Sequence, residues 1–315
     1  MQIDHRPLFA ALGLPPGDLH DRPDSPLTFP DGGAYRIEIA TAEGLASLQA
    51  IVATARELGV PVHRVTQGSG AMLLTERELA EMAALGREEG VEVCIFAGPR
   101  GPWDGTASPK TPQGGVFGWR NFGLDQLGYA VRDVQRAVRA GVRSICVADE
   151  GLLWLLARAR ERGDLPPELV LKVSALTGIA NPLQARMLAG LGADTINVAS
   201  DTSLARLAAF RALVDLPLDL YIESPDAFGG FARYWEIGEI VRVAAPVHLK
   251  FALVNAPNHY PAGRHHEAAV VAGSIERVRR AAAALEILRD VAPAARRSPG
   301  GAGGAVTSNE PNGHV

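Results

Sequence analysis

Short apolar runs of strand length alternate with longer stretches of helical periodicity through the central part of the chain. The strand-like runs begin at Tyr35 (YRIEIA), Val60 (VPVHRVTQ), Val91 (VEVCIFA), Ser144 (SICVAD), Leu169 (LVLKVSAL), Asp194 (DTINVAS), Pro217 (PLDLYIES) and Pro246 (PVHLKFAL). Their starts recur every 23 to 31 residues apart from one gap of 53, and the shorter spacing suits one helix and two short loops. Between the first two runs, Leu45, Leu48, Ile51, Val52 and Ala55 share one helical face, and the pattern stops at Gly59. Before the third run, Thr75 and Glu78 form a capping-box pair at the head of TERELAEMAALGREEG. No two-residue hairpin turn joins any strand to the next, which predicts parallel pairing. Eight such units close into a (β/α)8 TIM-type barrel, predicted as a single α/β domain. An open doubly wound sheet is the competing arrangement, but its first turn would carry G-x-G-x-x-G where this chain reads ATAEG.

The predicted barrel spans residues 31–291. Six prolines between Pro7 and Pro30 exclude long regular structure from the extension 1–30. Residues 292–315, rich in Gly, Pro, Ser and Asn, read as a disordered tail. The wide gap after the third strand holds a loop at 99–123, then a helix from about Leu124. Trp103, Lys110 and Arg120 in that loop would form either a lid over the barrel mouth or a surface excursion or subunit contact.

Period-2 alternation assigns strand faces. Placing Leu218, Leu220 and Ile222 against helices turns Asp219, Tyr221 and Glu223 to the barrel axis. The same rule turns inward Arg36 and Glu38, Cys94 and Phe96, Cys146, Lys172 and Ser174, Asn197, and His248 and Lys250. The second strand is ambiguous between His63 and Arg64. An axis this polar departs from the branched aliphatic filling of a structural barrel, and buried charges need partners. Glu38, Lys172, Glu223 and Lys250 therefore either form an internal ion network or serve a ligand. Lys172, Asn197, Glu223 and Lys250 sit toward the strand ends where barrel active sites lie.

Loops at that end add candidates. TQGSGAM bares glycine amides after the second strand, and SPDAFGGF places Gly229 and Gly230 where a phosphate or other anion could sit. Asp149 and Glu150 read as a helix cap in preference to a metal or acid–base pair. NAPNHYPAGRHHE gathers Asn255 with His259, His265, His266 and Glu267, and its three histidines with the glutamate would suit a divalent metal, although their spacing matches no standard zinc motif. With Asn197, Tyr221 and Arg64, residues Asn255, Gly229 and Gly230 are the predicted substrate-binding positions.

Composition narrows the classes further. Of the 315 residues, 47% are hydrophobic and 21% charged, enough for a sizeable core. The formal net charge of −4 lacks the basic excess of a nucleic-acid binder. Two cysteines are too few for a disulfide framework or a four-cysteine cluster. There is no run of 18 apolar residues and no signal-peptide pattern, so the expectation is a cytoplasmic protein with a small-molecule or peptide substrate, no nucleic acid and no membrane, with homo-oligomerisation left open.

The stretch LDLYIESPDAFGGFARYWEIGEIVRVAAPVHLKFALVNAPNHYPAGRHHE, ending at Glu267, and GADTINVASDTSLARLAAFRALVD from Gly192 resemble one branch of the U32-family peptidases. The resemblance covers about a third of the chain and implies a TIM-barrel domain and a collagenase-like hydrolase. Better-understood members carry a cysteine cluster that holds an iron–sulfur centre in some. With only Cys94 and Cys146 here, that centre is not expected, and no catalytic residue is carried over. The hydrolase expectation assigns Glu223 and Glu38 to acid–base work and Lys250 or Lys172 to an oxyanion. The alternative is a lyase or aldolase in which Lys172 or Lys250 forms a Schiff base with a small anionic carbonyl compound. A third reading is a non-catalytic binding barrel.

Overall fold

The computed structural model describes residues 4–100 and 107–301. Eight strands, β1 (Tyr35–Ala40), β2 (Val62–Gln67), β3 (Glu92–Phe96), β4 (Ser144–Val147), β5 (Val170–Val173), β6 (Thr195–Asn197), β7 (Leu218–Glu223) and β8 (Val247–Phe251), pair in parallel and close as β1 through β8 in order. All eight predicted strands are present. A short helix, α1 (Arg6–Ala11), lies in the extension. Eight more, α2 (Leu45–Leu58), α3 (Glu76–Glu88), α4 (Gly123–Arg139), α5 (Glu150–Glu161), α6 (Pro182–Gly190), α7 (Leu204–Leu213), α8 (Ile237–Ala244) and α9 (Glu267–Val291), alternate with the strands. The chain is thus a single-domain (β/α)8 barrel, and no helix among the described residues is long and apolar enough to cross a membrane.

The local signals hold where tested. Leu48, Ile51, Val52 and Ala55 are buried on the inner face of α2, and Gly59 ends that helix at φ 63°. Thr75 Oγ1 accepts the Glu78 amide at 3.2 Å while Glu78 Oε2 accepts the Thr75 amide at 2.8 Å, the reciprocal bonds of a capping box. Asp149 caps α5 through the Leu152 amide at 2.8 Å. Outward strand residues such as Ile37, Ile95, Leu171, Leu220 and Leu249 are fully buried against the helices.

Two irregularities in the ladder redirect side chains. Between β1 and β2 the register steps from Ile37↔Val62 to Glu38↔Arg64, bypassing His63. Arg64 therefore enters the axis, while His63 serves the base of the barrel, where it accepts the Ile37 amide at Nδ1 (3.1 Å). Between β7 and β8 the register steps from Tyr221↔Lys250 to Glu223↔Phe251. Glu223 is thereby level with a residue of the helix-facing set, and strict alternation fails at that point.

The base is covered from both ends of the chain. Phe29 of the extension packs its ring 5.2 Å from His248. Residues 292–301 are ordered, contrary to the expectation of a disordered tail from 292. Ser298 is fully buried, its amide donates to the Tyr35 carbonyl at 3.1 Å, and its carbonyl lies 3.1 Å from His63 Nε2. The segment makes backbone and buried side-chain bonds that its composition conceals; residues 302–315 lie outside the described residues, as does Trp103.

Candidate active site

The axis carries a closed ion network whose members are set side by side by the register. Glu38 stands opposite Arg64 on one side and Lys250 on the other. Its carboxylate contacts the Lys172 ammonium, receives Lys250 Nζ at 3.0 Å and Arg64 Nη1 at 3.3 Å, and accepts Thr66 Oγ1 at 2.6 Å. Asp219 is the second hub, with Lys172 at 2.8 Å, Arg64 at 3.2 Å, Thr195 Oγ1 at 2.8 Å and His248 Nδ1 at 2.8 Å. Arg64 also reaches Glu92 at 2.8 Å, which accepts Ser144 Oγ at 2.6 Å. Glu38, Lys172 and Asp219 have no solvent exposure.

Burial alone would raise the pKa of Glu38 and Asp219. The neighbouring cations outweigh it, Lys172 foremost in both cases, and hold both carboxyls well below the ordinary range. For Lys250 burial works to lower the pKa, but Glu38 prevails and raises it well above that of a free lysine. Burial and Arg64 lower the pKa of His248, leaving a neutral imidazole at pH 7. Three acids (Glu38, Glu92, Asp219) thus balance three bases (Arg64, Lys172, Lys250) in the axis.

Directly above lies a cavity of about 350 Å³ at the C-terminal ends of the strands. Of the axial cations, Lys250 alone lines it, held from below by Glu38, from the side by Asn197 Oδ1 (3.2 Å), and with its ammonium 4.6 Å from the centre of the Tyr221 ring. Thr66, Cys146 and Ser174 complete the floor, and Phe96, Trp119 and Phe228 make much of the wall apolar. The loop after β8 contributes His259 and Tyr260, and α9 contributes Arg277. Tyr260 Oη bonds Thr41 Oγ1 at 2.8 Å, and Thr41 takes φ 64°, unusual for a β-branched residue. Gly68 is required here, since a Cβ at that position would overlap the Tyr260 ring.

Cys94 and Cys146 are neighbours at the floor. Burial raises the Cys94 thiol far above its usual value; burial would also raise Cys146, but a hydrogen bond from Cys94, with Lys172 and Lys250, brings it down. Arg100 donates to the carbonyls of Gly68 and Ser69, each at 2.8 Å, and lies over the Phe96 ring, so it clamps the β2 loop to the cavity wall.

Among the sequence-predicted positions, Glu38, Lys172, Lys250, Arg64, Asn197 and Tyr221 come together as one connected group. Glu223 does not join them. It accepts the Tyr234 hydroxyl, the Val254 amide at 3.0 Å and Arg280 Nη1 at 3.2 Å, so the expected pairing with a barrel lysine is not met. The register step after Tyr221 is the cause. Gly229 (φ 86°), Gly230 (φ 61°) and Asn255 (φ 55°) shape the loops behind the wall and do not line the cavity; the Asn255 amide ties the two loops by donating to Asp226 Oδ1 at 3.1 Å. His259, His265 and His266 cluster around His266, whose ring centroid lies 5.9 Å from that of His259 and 4.2 Å from that of His265. Among the described residues, no three His, Cys, Asp or Glu side chains are arranged to hold a metal ion.

Asp219, Arg100 and Arg277 were not among the predicted site residues. Asp219 follows from the alternation that found Tyr221. Arg277 is legible as an arginine inside the buried stripe of α9, between Ser274 and Val278. Arg100 has no signal in the sequence, because its position depends on the path of the loop after β3.

No protein-family model and no curated protein matches the sequence. Solved structures show the fold. A protein assigned as a fructose-1,6-biphosphate aldolase from Coccidioides immitis matches with 16% identity over 89% of this chain and 98% of its own, at a TM-score of 0.50. A U32 peptidase matches with 18% identity over 63% of this chain and 73% of its own, at 0.40. An oxaloacetate acetylhydrolase matches with 14% identity over 70% of this chain and 75% of its own, at 0.43. At these identities the likeness is one of barrel architecture.

Proposed function

We propose that the protein is an enzyme that acts at the C-terminal mouth of the barrel on a small carbonyl compound, with the Lys250 ammonium receiving negative charge that develops on the carbonyl oxygen. The observation that carries this reading is that Lys250, alone of the three axial cations, is exposed to the cavity while Glu38 and Asn197 fix it from behind. A charge oriented before the reaction, in a site screened from water, is worth roughly 10²- to 10³-fold in kcat. The cavity volume, about 350 Å³, fits a small molecule better than an extended peptide and favours this reading over a peptidase.

In the lyase form, a base on the wall takes a proton from the carbon beside the carbonyl. Asp226 is the group available for this. The electron pair moves onto the carbonyl oxygen, and the enolate faces Lys250. Its collapse forms a carbon–carbon double bond and expels the leaving group from the next carbon, which departs with a proton from the wall. The presence of Asp226 on the wall also supports a hydrolytic form, in which it activates a water and Lys250 faces the tetrahedral alkoxide. A Schiff base is less well supported, because Glu38 keeps Lys250 protonated.

The test is a screen of small 2-oxo acids, hydroxy acids and esters, followed by Lys250→Met on any active compound. The expected loss is about 10²- to 10³-fold in kcat with the fold intact. Borohydride treatment with substrate is expected to leave no adduct. A reduced adduct on Lys250 or Lys172 would replace the ammonium role with imine chemistry. Ligand-induced thermal shifts without turnover, unchanged in Lys250→Met, would leave a binding barrel.

A further inference from the structure

Buried arginines in this barrel follow one rule, and Arg277 breaks it. Arg64 pairs with three carboxylates. Arg211 donates to the carbonyls of Val214, Leu216, Ala244 and Pro246, and Arg233 to Glu236, Ser200 and Thr202. Arg277 is as deeply buried, only 3% exposed, yet makes no hydrogen bond or ion pair with any described residue. Its Nε and Nη1 are buried without partners. Leaving a buried guanidinium in this state is costly, and arginine cannot escape by losing its proton. Its surroundings accommodate it nonetheless. One turn earlier Gly273 leaves room, since a Cβ there would sit 3.2 Å from Nη1. The side chain lines the mouth cavity together with His259, whose Nδ1 is likewise unpartnered.

We propose that Arg277 anchors the permanent anionic group of the substrate, a carboxylate or a phosphate, and that His259 donates a second bond to it. The fork of the guanidinium matches two oxygens of either group. Lys250 at the floor then faces the reacting carbonyl, and the apolar wall holds the rest of the molecule. The substrate class is an organic anion carrying a carbonyl at the far end from its charged terminus or beside it. This rests on the reading of Lys250 given above, but the two separate by experiment, because Arg277 governs binding and Lys250 governs turnover.

Binding is measured by calorimetry on the full chain with three probes: benzoylformate, its neutral methyl ester, and inorganic phosphate. Benzoylformate is expected to bind at least about 10-fold tighter than the ester, and inorganic phosphate to compete with it if the site also accepts phosphate groups. Arg277→Gln is expected to weaken benzoylformate roughly 10- to 100-fold and leave the ester unchanged, with Arg277→Lys recovering part of the loss. Lys250→Met is expected to keep the preference for acid over ester while losing turnover of any substrate. Without ligand, Arg277→Gln is expected to keep or raise the melting temperature, whereas an arginine serving only the fold would lower it. Equal binding of acid and ester by the native protein, the same preference in Arg277→Gln, or no binding of benzoylformate or phosphate at 10 mM (roughly ten thousand times weaker than a micromolar site) would each overturn the assignment. If Lys250→Met retained full turnover while Arg277→Gln lost the preference, the anchor would stand and the oxyanion role would fall.

Discussion

Below Lys250, each charge of the barrel axis meets an opposite one: Glu38 has Arg64, Lys172 and Lys250, and Asp219 has Arg64 and Lys172. Above it, Arg277 and His259 end in the cavity with buried nitrogens that bond nothing among the described residues. The same residue types are saturated in one region and left open in the other, although Lys250 borders both. Saturation is what a fold requires of buried charge. Openness is what a ligand requires, and it is tolerated only where something else supplies the missing partner. A charged residue inside a barrel is therefore weak evidence of function until its partners are counted.

The largest effect should follow from removing a member of the saturated set. Lys172→Met strands Glu38 and Asp219 as neighbouring buried carboxylates, and should cost about 3–5 kcal/mol in denaturant unfolding at pH 7. A loss below about 1 kcal/mol would show that Arg64 and Lys250 suffice and that Lys172 is free for chemistry.

Next in size is the acid response of the base. Burial is the main cause that brings the His63 pKa down to about 4 from an ordinary 6.5. Its Nδ1 accepts the Ile37 amide, and Nε2–H donates to the Ser298 carbonyl. The folded state favours the neutral ring, while the unfolded chain protonates first as the pH falls. The stabilisation is therefore complete above about pH 6.5 and is lost as the pH falls through 4, about 3 kcal/mol in all. Protonation of Nδ1 would also set two donors against each other, so hydrogen exchange in residues 292–301 should quicken over the same range. A flat stability between pH 7 and 4 in the native protein, matching that of His63→Gln, would dissociate the tail from this histidine.

The architecture was legible because every level of the sequence pointed the same way: strand-length apolar runs, helix caps at Thr75 and Asp149, and spacing that leaves no room for hairpins. Most of the axial network followed from alternation, which placed Glu38, Lys172, Asn197, Tyr221 and Lys250 inside. Alternation failed where the ladder slips, and both failures have that one cause. The step at His63 made β2 ambiguous, and the step after Tyr221 sent Glu223 to Arg280 and Tyr234 instead of a lysine. A bulge depends on how two strands meet, and neither strand carries it alone. The tail failed for a different reason: backbone amides and carbonyls hold residues 296–298 against the start of β1, and hydropathy does not register them. Arg100 and Tyr260 reach the mouth from loops whose paths no periodicity describes.

Thr66 stands on the border between the two regions, lining the cavity while donating to Glu38 at 2.6 Å. Thr66→Val keeps its shape and deletes one bond to a charged acceptor, so a cost of about 2 kcal/mol is expected in unfolding experiments. A neutral outcome would place Thr66 with the mouth.

The smallest effect should come from His259, and its smallness is the point. The residue is only 6% exposed, which ordinarily signals a structural side chain, but its Nδ1 bonds nothing and its ring meets His266 only edge-on at 5.9 Å. Burial is the main influence lowering its pKa, so at pH 7 the ring is neutral and no ion pair is at stake. His259→Asn should therefore change unfolding stability by about 0.5 kcal/mol or less, because no hydrogen bond is lost and no charge is stranded. The same substitution should weaken benzoylformate measurably, since the donor would no longer reach the anion held by Arg277. A stability loss as large as that of Thr66→Val would mean that the mouth is saturated too, through contacts of the β8 loop itself, and the contrast between axis and mouth would disappear.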